Sequence, residues 1–327
     1  MRILIATNSY PTDKNPTRQV FVKNIYKELQ QNAGHVDLVY NQYFRFFYSK
    51  LSEGTSFTSI FKVIFLFISY IPFISYKARQ YDIIYSHAPV LPGLFMLPAQ
   101  WIYGVKHVCY VHGSVNEYLE KKGVLFKLAR FTLNRCDQVI TNSSYMQQKL
   151  EIEYGCSSVV ISPGYKSEIY NYKAVKKNND ILFAGNAIAI KGIDILLNST
   201  ALNREYYKKN NISVKIYCEG DAKKQHINFS QENDLSDIIT FGNKLEETEL
   251  RNQFRSSKIV VVPSRLEALG LVGIEAIACG AFVIATDTGG IEEYIIHGEN
   301  GYLFEKENHQ QLHSYIAKAL KIYPDFE

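Results

Sequence analysis

The sequence has little of several features that would place it in a specialised class. It holds one tryptophan in 327 residues and five cysteines, an odd number with wide spacings. No cysteines stand at the short spacing of a metal site or suggest a disulfide framework. We exclude a disulfide-stapled domain and a zinc module, and expect reduced thiols in a cytoplasmic protein. The cysteines are Cys109, Cys136, Cys156, Cys218 and Cys279.

Export signals, long apolar runs and common nucleotide motifs are missing too. The first apolar run, residues 3–6, predicts a buried strand and not a cleavable signal. Residues 60–76 are interrupted by Lys62 and Pro72, and their uncharged part is too short to span a bilayer. Neither Gly-x-Gly-x-x-Gly after the first strand nor a P-loop occurs, which argues against a dinucleotide oxidoreductase and a P-loop enzyme.

What is present fits two globular domains. The chain is 46% hydrophobic and 21% charged, and its length is about twice that of a common single domain. Residues 1–165 carry 17 Lys and Arg against 10 Asp and Glu, whereas residues 166–327 carry 19 against 22. The basic first half suggests an anionic partner, either a bilayer surface or a phosphorylated acceptor. An ordinary solvated surface is the alternative, and no nucleic-acid recognition motif is present.

Short β-branched runs alternate with stretches of helical length along almost the whole chain. This order predicts an α/β protein with doubly wound parallel sheets. The series restarts near residue 180, after a polar segment over residues 166–180. We therefore expect one domain over residues 1–168 and a second over residues 169–327. Their functional residues should follow the carboxyl ends of strands and face a cleft between the domains. The predicted strands of the first half cover residues 2–6, 36–40, 82–86, 107–111, 138–141 and 159–161. Those of the second half lie in the runs ILFAG, VKIYCEG, IITFG, KIVVVP and FVIAT.

Residues 262–290 carry the most chemical information. They read as a strand, a loop from Pro263, a helix over residues 270–279 and another strand. Glu267 would precede the helix and Glu275 would lie in its second turn, so both can face one ligand. Backbone amides at the helix start offer a phosphate site, and carboxylates accept from hydroxyls. A nucleotide sugar carries both phosphates and hydroxyls.

This segment resembles the donor-binding motif of the retaining GT-B glycosyltransferases of family 4. Further motifs follow in the family's order, namely YVHG, ITNS, ISPG, ILFAGNAIAIKG, IYCEGD and ENGYLF. The resemblance covers roughly the whole chain and implies the GT-B fold, two Rossmann-like domains that face each other across a cleft. It also implies a nucleotide-sugar donor as co-substrate and no cofactor.

The resemblance assigns a role to each matching residue. Glu275 is similar to the glutamate that holds the ribose hydroxyls, and Glu267 to the one that contacts the transferred sugar. Lys191 matches the lysine that neutralises the diphosphate, and His112 the histidine near the transferred sugar. His87, at the end of a predicted strand, either faces the cleft as well or has a capping or packing role. The amides expected to hold sugar and diphosphate belong to Leu269, Gly270, Leu271 and Val272.

The sequence departs from the family pattern in three places. Asn186 stands where the family usually has arginine, and Arg265 is our candidate for the missing cation. The first loop has Asn8, Ser9 and Asn15 on the acceptor side, where relatives commonly carry a glycine pair. After a predicted helix over residues 309–322 the chain stops at PDFE, without the segment that in most relatives crosses back onto the first domain.

The expected reaction is transfer of a hexose from a nucleotide sugar to a sugar or lipid-linked glycan. UDP is the expected nucleotide because it is the commonest one. The resemblance implies front-face displacement with retention and no bound metal. Aromatic and basic residues in segments 41–50 and 60–76 suit an anionic bilayer. We therefore expect the protein to act on the inner face of the plasma membrane, on a polyprenyl-diphosphate-linked acceptor in surface-polysaccharide synthesis. A core helix with an exposed loop is the alternative for these segments.

Two other functions stay open at this point. A non-catalytic partner subunit of the same fold would bind the nucleotide sugar without turnover, and the three departures favour it somewhat. An epimerase acting on UDP-N-acetylglucosamine shares the fold, but it needs further acid and base carboxylates that the first-domain loops do not show.

Overall fold

The computed structural model describes residues 1–8, 10–11, 20–40, 71–113 and 122–322. The chain divides into two compact units, Met1–Pro163 and Gly164–Glu327. Each unit contains a parallel sheet, six-stranded within the described residues, with helices on its faces. The predicted cleft between the domains stays a prediction.

The sheet of the first unit has the strand order β2-β1-β3-β4-β5-β6. Its strands β1 to β6 are Arg2–Thr7, His35–Tyr40, Ile83–His87, Lys106–Val111, Gln138–Thr141 and Val159–Val160. Helices α1 to α4 are Val20–Asn32, Leu94–Tyr103, Val124–Leu133 and Ser144–Lys149, with π-helical turns at Pro89–Gly93 and Leu150–Tyr154. The six predicted strands are confirmed to within one residue at each end.

The sheet of the second unit has the order β12-β11-β10-β7-β8-β9. Strands β7 to β12 are Asn178–Asn186, Ser213–Glu219, Ile239–Gly242, Ser257–Val262, Phe282–Thr286 and Gly301–Phe304. Helices α5 to α10 are Ile193–Leu202, Arg204–Lys209, Lys223–Glu232, Glu247–Ser256, Leu271–Ala278 and His309–Ile322. Two 3-10 helices, Ala189–Lys191 and Gly289–Glu293, follow β7 and β11.

The sequence explains why these segments become central strands. The β-branched run of β10 and the whole of β11 are buried, because helices cover both faces of a parallel sheet. Apolar clusters therefore fill both faces of each sheet. Helix α10 buries a single stripe, through Leu312, Ile316 and Ala319.

Strand order fixes where a ligand can bind. In the second unit the chain winds outward from β7 in one direction and from β10 in the other, so the crossover connections diverge between these neighbours. In the first unit the same divergence falls between β1 and β3. Open α/β sheets bind ligands in the crevice at such a switch point, beyond the carboxyl ends of the strands.

The predicted membrane-contact segments lie mostly outside the described residues, which include none of 41–50 and only 71–76 of 60–76. Residues 71–78 are helical. This helix buries Ile74 and Ala78 and exposes Phe73 and Tyr76, so a single face of residues 71–78 packs in the core. Across the described ranges, no helix combines the length and the apolar character needed to cross a bilayer.

Candidate functional site

A cavity of about 240 Å³ opens at the switch point of the second unit. The carboxyl ends of β7 and β10 form its floor, and the loops after β7, β9 and β10 form its walls. Four of the predicted donor-site residues line it together, namely Asn186, Lys191, Glu267 and Val272.

Lys191 and Glu267 form an ion pair on the cavity wall. Lys191 ends the 3-10 helix after β7, whereas Glu267 lies 76 residues later in the loop after β10. The buried Ser264 hydroxyl donates a hydrogen bond of 3.0 Å to Glu267 Oε1, which also accepts from Lys191 Nζ. The carboxylate is thus oriented by two donors on one oxygen, which among the described residues leaves Oε2 for a ligand.

Two glycines with positive φ let the loop after β10 approach its neighbours. A Cβ on Gly192, at φ +65°, would lie 2.0 Å from the Pro263 carbonyl oxygen. A Cβ on Gly289, also at φ +65°, would lie 1.8 Å from the Glu267 carbonyl oxygen. Only glycine fits at either position, so the backbone holds both ends of the segment that carries Ser264 and Glu267.

Arg265 does not line the cavity, which contradicts the prediction that it supplies the missing cation. Its guanidinium makes two hydrogen bonds to Asp194, 2.9 and 2.6 Å long, and two to Glu307, 2.6 and 2.9 Å long. A fifth bond of 2.5 Å reaches the Ala189 carbonyl. Because arginine has five N–H donors, none is left for a phosphate. Arg265 instead ties the loop to the 3-10 helix that carries Lys191.

Helix α9 begins at the other end of this loop, as expected from the sequence. Gly270 precedes it at φ +85°, and its carbonyl accepts from the Gly273 amide at 3.0 Å and from the Tyr294 hydroxyl at 3.0 Å. Leu269 is buried, and Leu271 and Val272 are half-buried. Apart from the Gly273 amide, the amides at the start of a helix have no carbonyl acceptor within it, which makes those of Leu271 and Val272 donors for an anion.

Glu275 lies on α9 outside the cavity lining, in a half-buried acidic environment. It neighbours Glu247 at the start of α8, and Lys166 binds both Glu247 oxygens at 2.6 and 2.8 Å. Burial, reinforced by the charge of Glu247 and opposed by that of Lys166, raises the pKa of Glu275 to about 7. The residue therefore titrates near neutral pH.

Replacing Glu275 with glutamine is expected to flatten the pH dependence of stability. In the folded protein the carboxyl keeps its proton up to a pKa of about 7, whereas an unperturbed glutamate loses it near 4.5. The folded state binds more protons between these values, so the free energy of unfolding of the wild type falls as pH rises through this window. The glutamine variant lacks this decline.

Urea unfolding at several pH values across the window tests this expectation. Glu232→Gln, at an exposed position of α7, is the matched control for loss of one carboxyl group. Parallel pH curves for the wild type and Glu275→Gln would contradict the prediction.

In the first unit, the structure brings His112 against His87. His87 ends β3, pairs in register with Thr7 of β1, and places Nδ1 3.1 Å from His112 Nε2. The two rings are stacked at 5.4 Å, and Phe21 and Tyr110 pack against His112. Burial lowers the pKa of His112 to about 3 and that of His87 well below its ordinary value, so both imidazoles are neutral near pH 7.

The remaining predicted residues divide between described and undescribed positions. Asn8 follows β1 at the switch point of the first unit and is half-buried, whereas Ser9 and Asn15 lie outside the described residues. Asn142 and Ser143 of the ITNS motif directly precede α4, and the Ser143 hydroxyl accepts from the Met146 amide at 3.2 Å. Ser143 therefore has a capping role.

Sequence reasoning missed three residues of the second-unit site. Ser264 orients Glu267, Tyr294 supports Gly270, and Lys244 lines the cavity from the loop after β9. Lys244 had a usable signal, since it follows the predicted strand IITFG by two residues and so lies at the carboxyl edge of the sheet. Ser264 and Tyr294 had none, because their contacts depend on the loop conformation.

Two family models match the chain and together cover most of it. "Glycosyltransferase Family 4" matches residues 19–168, and "Glycosyl transferases group 1" matches residues 166–325. An uncharacterized glycosyltransferase of Methanocaldococcus jannaschii is 31% identical over 75% of this chain and 67% of its own length. A D-inositol 3-phosphate glycosyltransferase of Paenarthrobacter aurescens is 26% identical over 69% of this chain and 61% of its own length. Only about three fifths to two thirds of these relatives' length is thus aligned.

Solved structures confirm the predicted fold class. Sucrose-phosphate synthase of Thermosynechococcus elongatus superposes with a TM-score of 0.77 and 19% identity, covering 99% of this chain and 91% of that one. The Anabaena protein HepE in complex with UDP superposes with a TM-score of 0.73 and 18% identity, covering 98% of this chain and 90% of that one. At these identities the likeness shows the fold alone, which is GT-B. With both family models and the archaeal relative in agreement, the chain belongs to the group 1 glycosyltransferases of glycosyltransferase family 4.

Proposed function

We propose that this chain transfers a hexose from a nucleotide sugar, UDP-linked, to a sugar or lipid-linked glycan acceptor with retention of configuration. The observation that carries the proposal is the Lys191–Glu267 pair on the wall of a cavity at the switch point, beside the amino terminus of α9. Lysine and free amides suit a diphosphate, and an oriented carboxylate suits sugar hydroxyls.

In this proposal Lys191 and the amides of residues 269–272 hold the diphosphate. The leaving group gains negative charge as its bond to the anomeric carbon breaks, so fixed donors aimed at it stabilise the transition state. Glu267 accepts from hydroxyls of the transferred sugar, and Glu275 from those of the ribose. Donor binding would exchange the Lys191–Glu267 pair for contacts of each residue with the donor.

Because Asn186 stands where the family usually has arginine, the departing diphosphate meets one cation fewer than in most relatives. Lys244 is the second cationic side chain on the cavity lining, and it is exposed. We assign to Lys244, rather than to Arg265, the role of compensating for Asn186. A charge-assisted hydrogen bond from an ammonium is roughly twice as strong as one from a neutral amide.

The reaction proposed here is a front-face displacement in which the departing phosphate oxygen takes the acceptor's proton. His112 positions the transferred sugar, as the family resemblance implies, and we assign Asn8, Ser9 and Asn15 to acceptor binding. Lys191 and the α9 amides neutralise the diphosphate without a divalent ion. The rate enhancement then comes from positioning and from the fixed donors.

For the acceptor we propose a glycan or polyprenyl-diphosphate-linked chain in surface-polysaccharide synthesis, at the cytoplasmic face of the membrane. A structural relative named lipopolysaccharide outer core galactosyltransferase WaaB supports this class, with a TM-score of 0.68 over 100% of this chain and 14% identity. The complexes of HepE with UDP and with UDP-glucose support the choice of UDP in the donor.

A second candidate is a partner subunit that binds the nucleotide sugar without turnover. Asn186 in place of arginine and the fully engaged Arg265 favour it, because both reduce the positive charge available to a leaving diphosphate. The two candidates differ in donor hydrolysis, which a transferase shows slowly without acceptor.

We expect UDP-sugars to stabilise the protein against heat more than GDP- or ADP-sugars at equal concentration. A ligand at 100 times its Kd adds about 2.7 kcal/mol to the free energy of unfolding, which a thermal-shift screen resolves. The best donor should be hydrolysed slowly, with EDTA present throughout. Stabilisation without hydrolysis or transfer to any of a broad acceptor panel would favour the partner subunit, and no stabilisation by any donor would contradict both candidates.

A further inference from the structure

Helix α3 of the first unit presents an exposed face that its own core does not use. Val124, Lys127, Arg130 and Phe131 are exposed, as are Asn134 and Arg135 just beyond its end. At 100° per residue these six positions fall within one arc of roughly 140°. The opposite side buries Ala129, Thr132 and Leu133. The exposed arc therefore mixes apolar and cationic side chains, and its apolar members are Val124, which is 70% exposed, and Phe131.

The end of helix α2 extends this face. The Trp101 ring meets the Phe131 ring edge-on at 6.3 Å, and Gln100 donates to the Arg135 carbonyl at 2.9 Å. Trp101 is 58% exposed and the neighbouring Ile102 is 68% exposed. We call the surface that these exposed side chains form the α2–α3 patch, which comprises Trp101, Ile102, Val124, Lys127, Arg130, Phe131 and Arg135.

The charge of the patch and its border is predominantly positive. Residues 122–137 contain four cationic residues and one acidic one, Asp137, whose carboxylate accepts from Gln100 and from Lys106, both at 3.0 Å. Of the four cationic residues, only Lys122 has an acidic partner among the described residues, Glu153 at 3.5 Å. The Arg135 guanidinium lies over the Phe131 ring at 3.7 Å, and a recess of about 470 Å³ opens between the cationic side chains.

We propose that the α2–α3 patch docks this protein on the anionic surface of a lipid bilayer. Cations bind lipid phosphates, while tryptophan and exposed aliphatic side chains enter the boundary between headgroups and acyl chains. Nucleic acid would satisfy the cations but would leave Val124 and Ile102 in water, so a bilayer fits the patch better. This surface is separate from segments 41–50 and 60–76, and the inference does not depend on the proposed transferase activity.

The chain carries its own probe, because Trp101 is its single tryptophan. Unlabelled protein is mixed with vesicles of phosphatidylglycerol and phosphatidylcholine, or of phosphatidylcholine alone, in about 0.01 M salt, where the screening length is about 30 Å. We expect Trp101 emission to shift to shorter wavelength with the anionic vesicles only. Brominated acyl chains in those vesicles should quench it. Cosedimentation without any change in Trp101 emission would overturn the proposal, because another surface would then be bound.

Charge reversal separates this patch from non-specific attraction. Lys127→Glu with Arg130→Glu should lower the vesicle partition coefficient at least about 25-fold, since each cation near the surface is worth about five-fold. The matched control is Lys209→Glu with Lys224→Glu, two exposed lysines on helices of the second unit, which should retain most of the binding. Equal losses in the two double variants would overturn the proposal.

The apolar part is tested by Ile102→Ser with Val124→Ser, which keeps every charge. This variant should retain a weak, salt-sensitive association and lose the shift of Trp101 emission, and circular dichroism verifies its fold. Unchanged emission shifts in this variant would overturn the proposed insertion. Binding of a short RNA in competition with anionic vesicles, without the emission shift, would assign the patch to nucleic acid instead.

Discussion

Replacing Lys191 with methionine is expected to lower the turnover of the nucleotide sugar about 10²- to 10³-fold. Methionine keeps the length of the side chain and removes the charge that the proposal places on the departing diphosphate. Loss of one fixed donor from a transition-state site typically costs a factor of this size. The effect should fall mainly on kcat, because the charge on the leaving oxygen is largest in the transition state.

The same substitution also removes the partner of a largely buried carboxylate. Glu267 is 14% exposed in its side chain and would keep only the Ser264 hydroxyl as donor. We expect a loss of about 1 to 3 kcal/mol in the free energy of unfolding from this cause. A lower rate alone therefore does not separate a catalytic role of Lys191 from a structural one.

The second unit supplies a matched control in Lys215. Its ammonium lies 2.5 Å from Asp180 Oδ2, and Asp180 also accepts from the Ser213 hydroxyl. The lysines are both 28% exposed in their side chains, and Asp180 is 9% exposed. Asp180 precedes Asn186 by six residues along β7, roughly 20 Å at strand geometry, so the control pair lies toward the amino end of the sheet.

Lys215→Met should therefore lose stability to a similar degree and keep the wild-type turnover. Donor hydrolysis and urea unfolding, measured on both variants at a temperature where both are folded, provide the comparison. If the two variants lost stability and turnover in the same proportion, Lys191 would be a structural residue and the leaving-group assignment would fail. Adding Glu267→Gln to Lys191→Met should recover stability but not turnover.

The sequence predicted the sheets well because each central strand carries its own signal. A parallel strand buried on both faces is a run of apolar residues, and this pattern needs no knowledge of its neighbours. No strand was predicted at β12, Gly301–Phe304, which has four residues and begins with glycine. Its only strong determinant is pairing with β11, a long-range property that a local pattern does not contain.

The candidate site was predicted less completely, since side-chain direction depends on distant partners. Arg265 belongs to the loop motif in sequence, yet its donors reach Asp194 and Glu307, 71 and 42 residues away. His87 was left open between the cleft and a packing role, and its contact with His112 arises from the register of β3 against β4. Motif position indicated which loops matter, whereas the partners within them came from the fold.

Gly192→Ala is expected to lower the free energy of unfolding of the second unit by about 3 kcal/mol or more. An alanine at φ +65° costs about 1 to 2 kcal/mol by itself, and the new Cβ would lie 2.0 Å from the Pro263 carbonyl oxygen. Gly298→Ala in the same unit and Gly104→Ala in the first unit are the controls. Both have positive φ, +90° and +68°, and a Cβ there meets nothing within 4 Å. These two variants should lose only the free energy of about 1 to 2 kcal/mol that an alanine costs at positive φ.

Gly192→Ala should also weaken nucleotide binding, because Gly192 lies between Lys191 and the loop that follows β10. It stands directly after Lys191, and the carbonyl it faces begins the loop that ends at Gly270. Relief of the clash must move that loop away from Lys191, so UDP affinity should fall even at temperatures where Gly192→Ala is fully folded. Calorimetric titration with UDP tests this, with Gly298→Ala expected to bind like the wild type. Wild-type affinity in folded Gly192→Ala would mean that the spacing between Lys191 and the loop does not determine diphosphate binding.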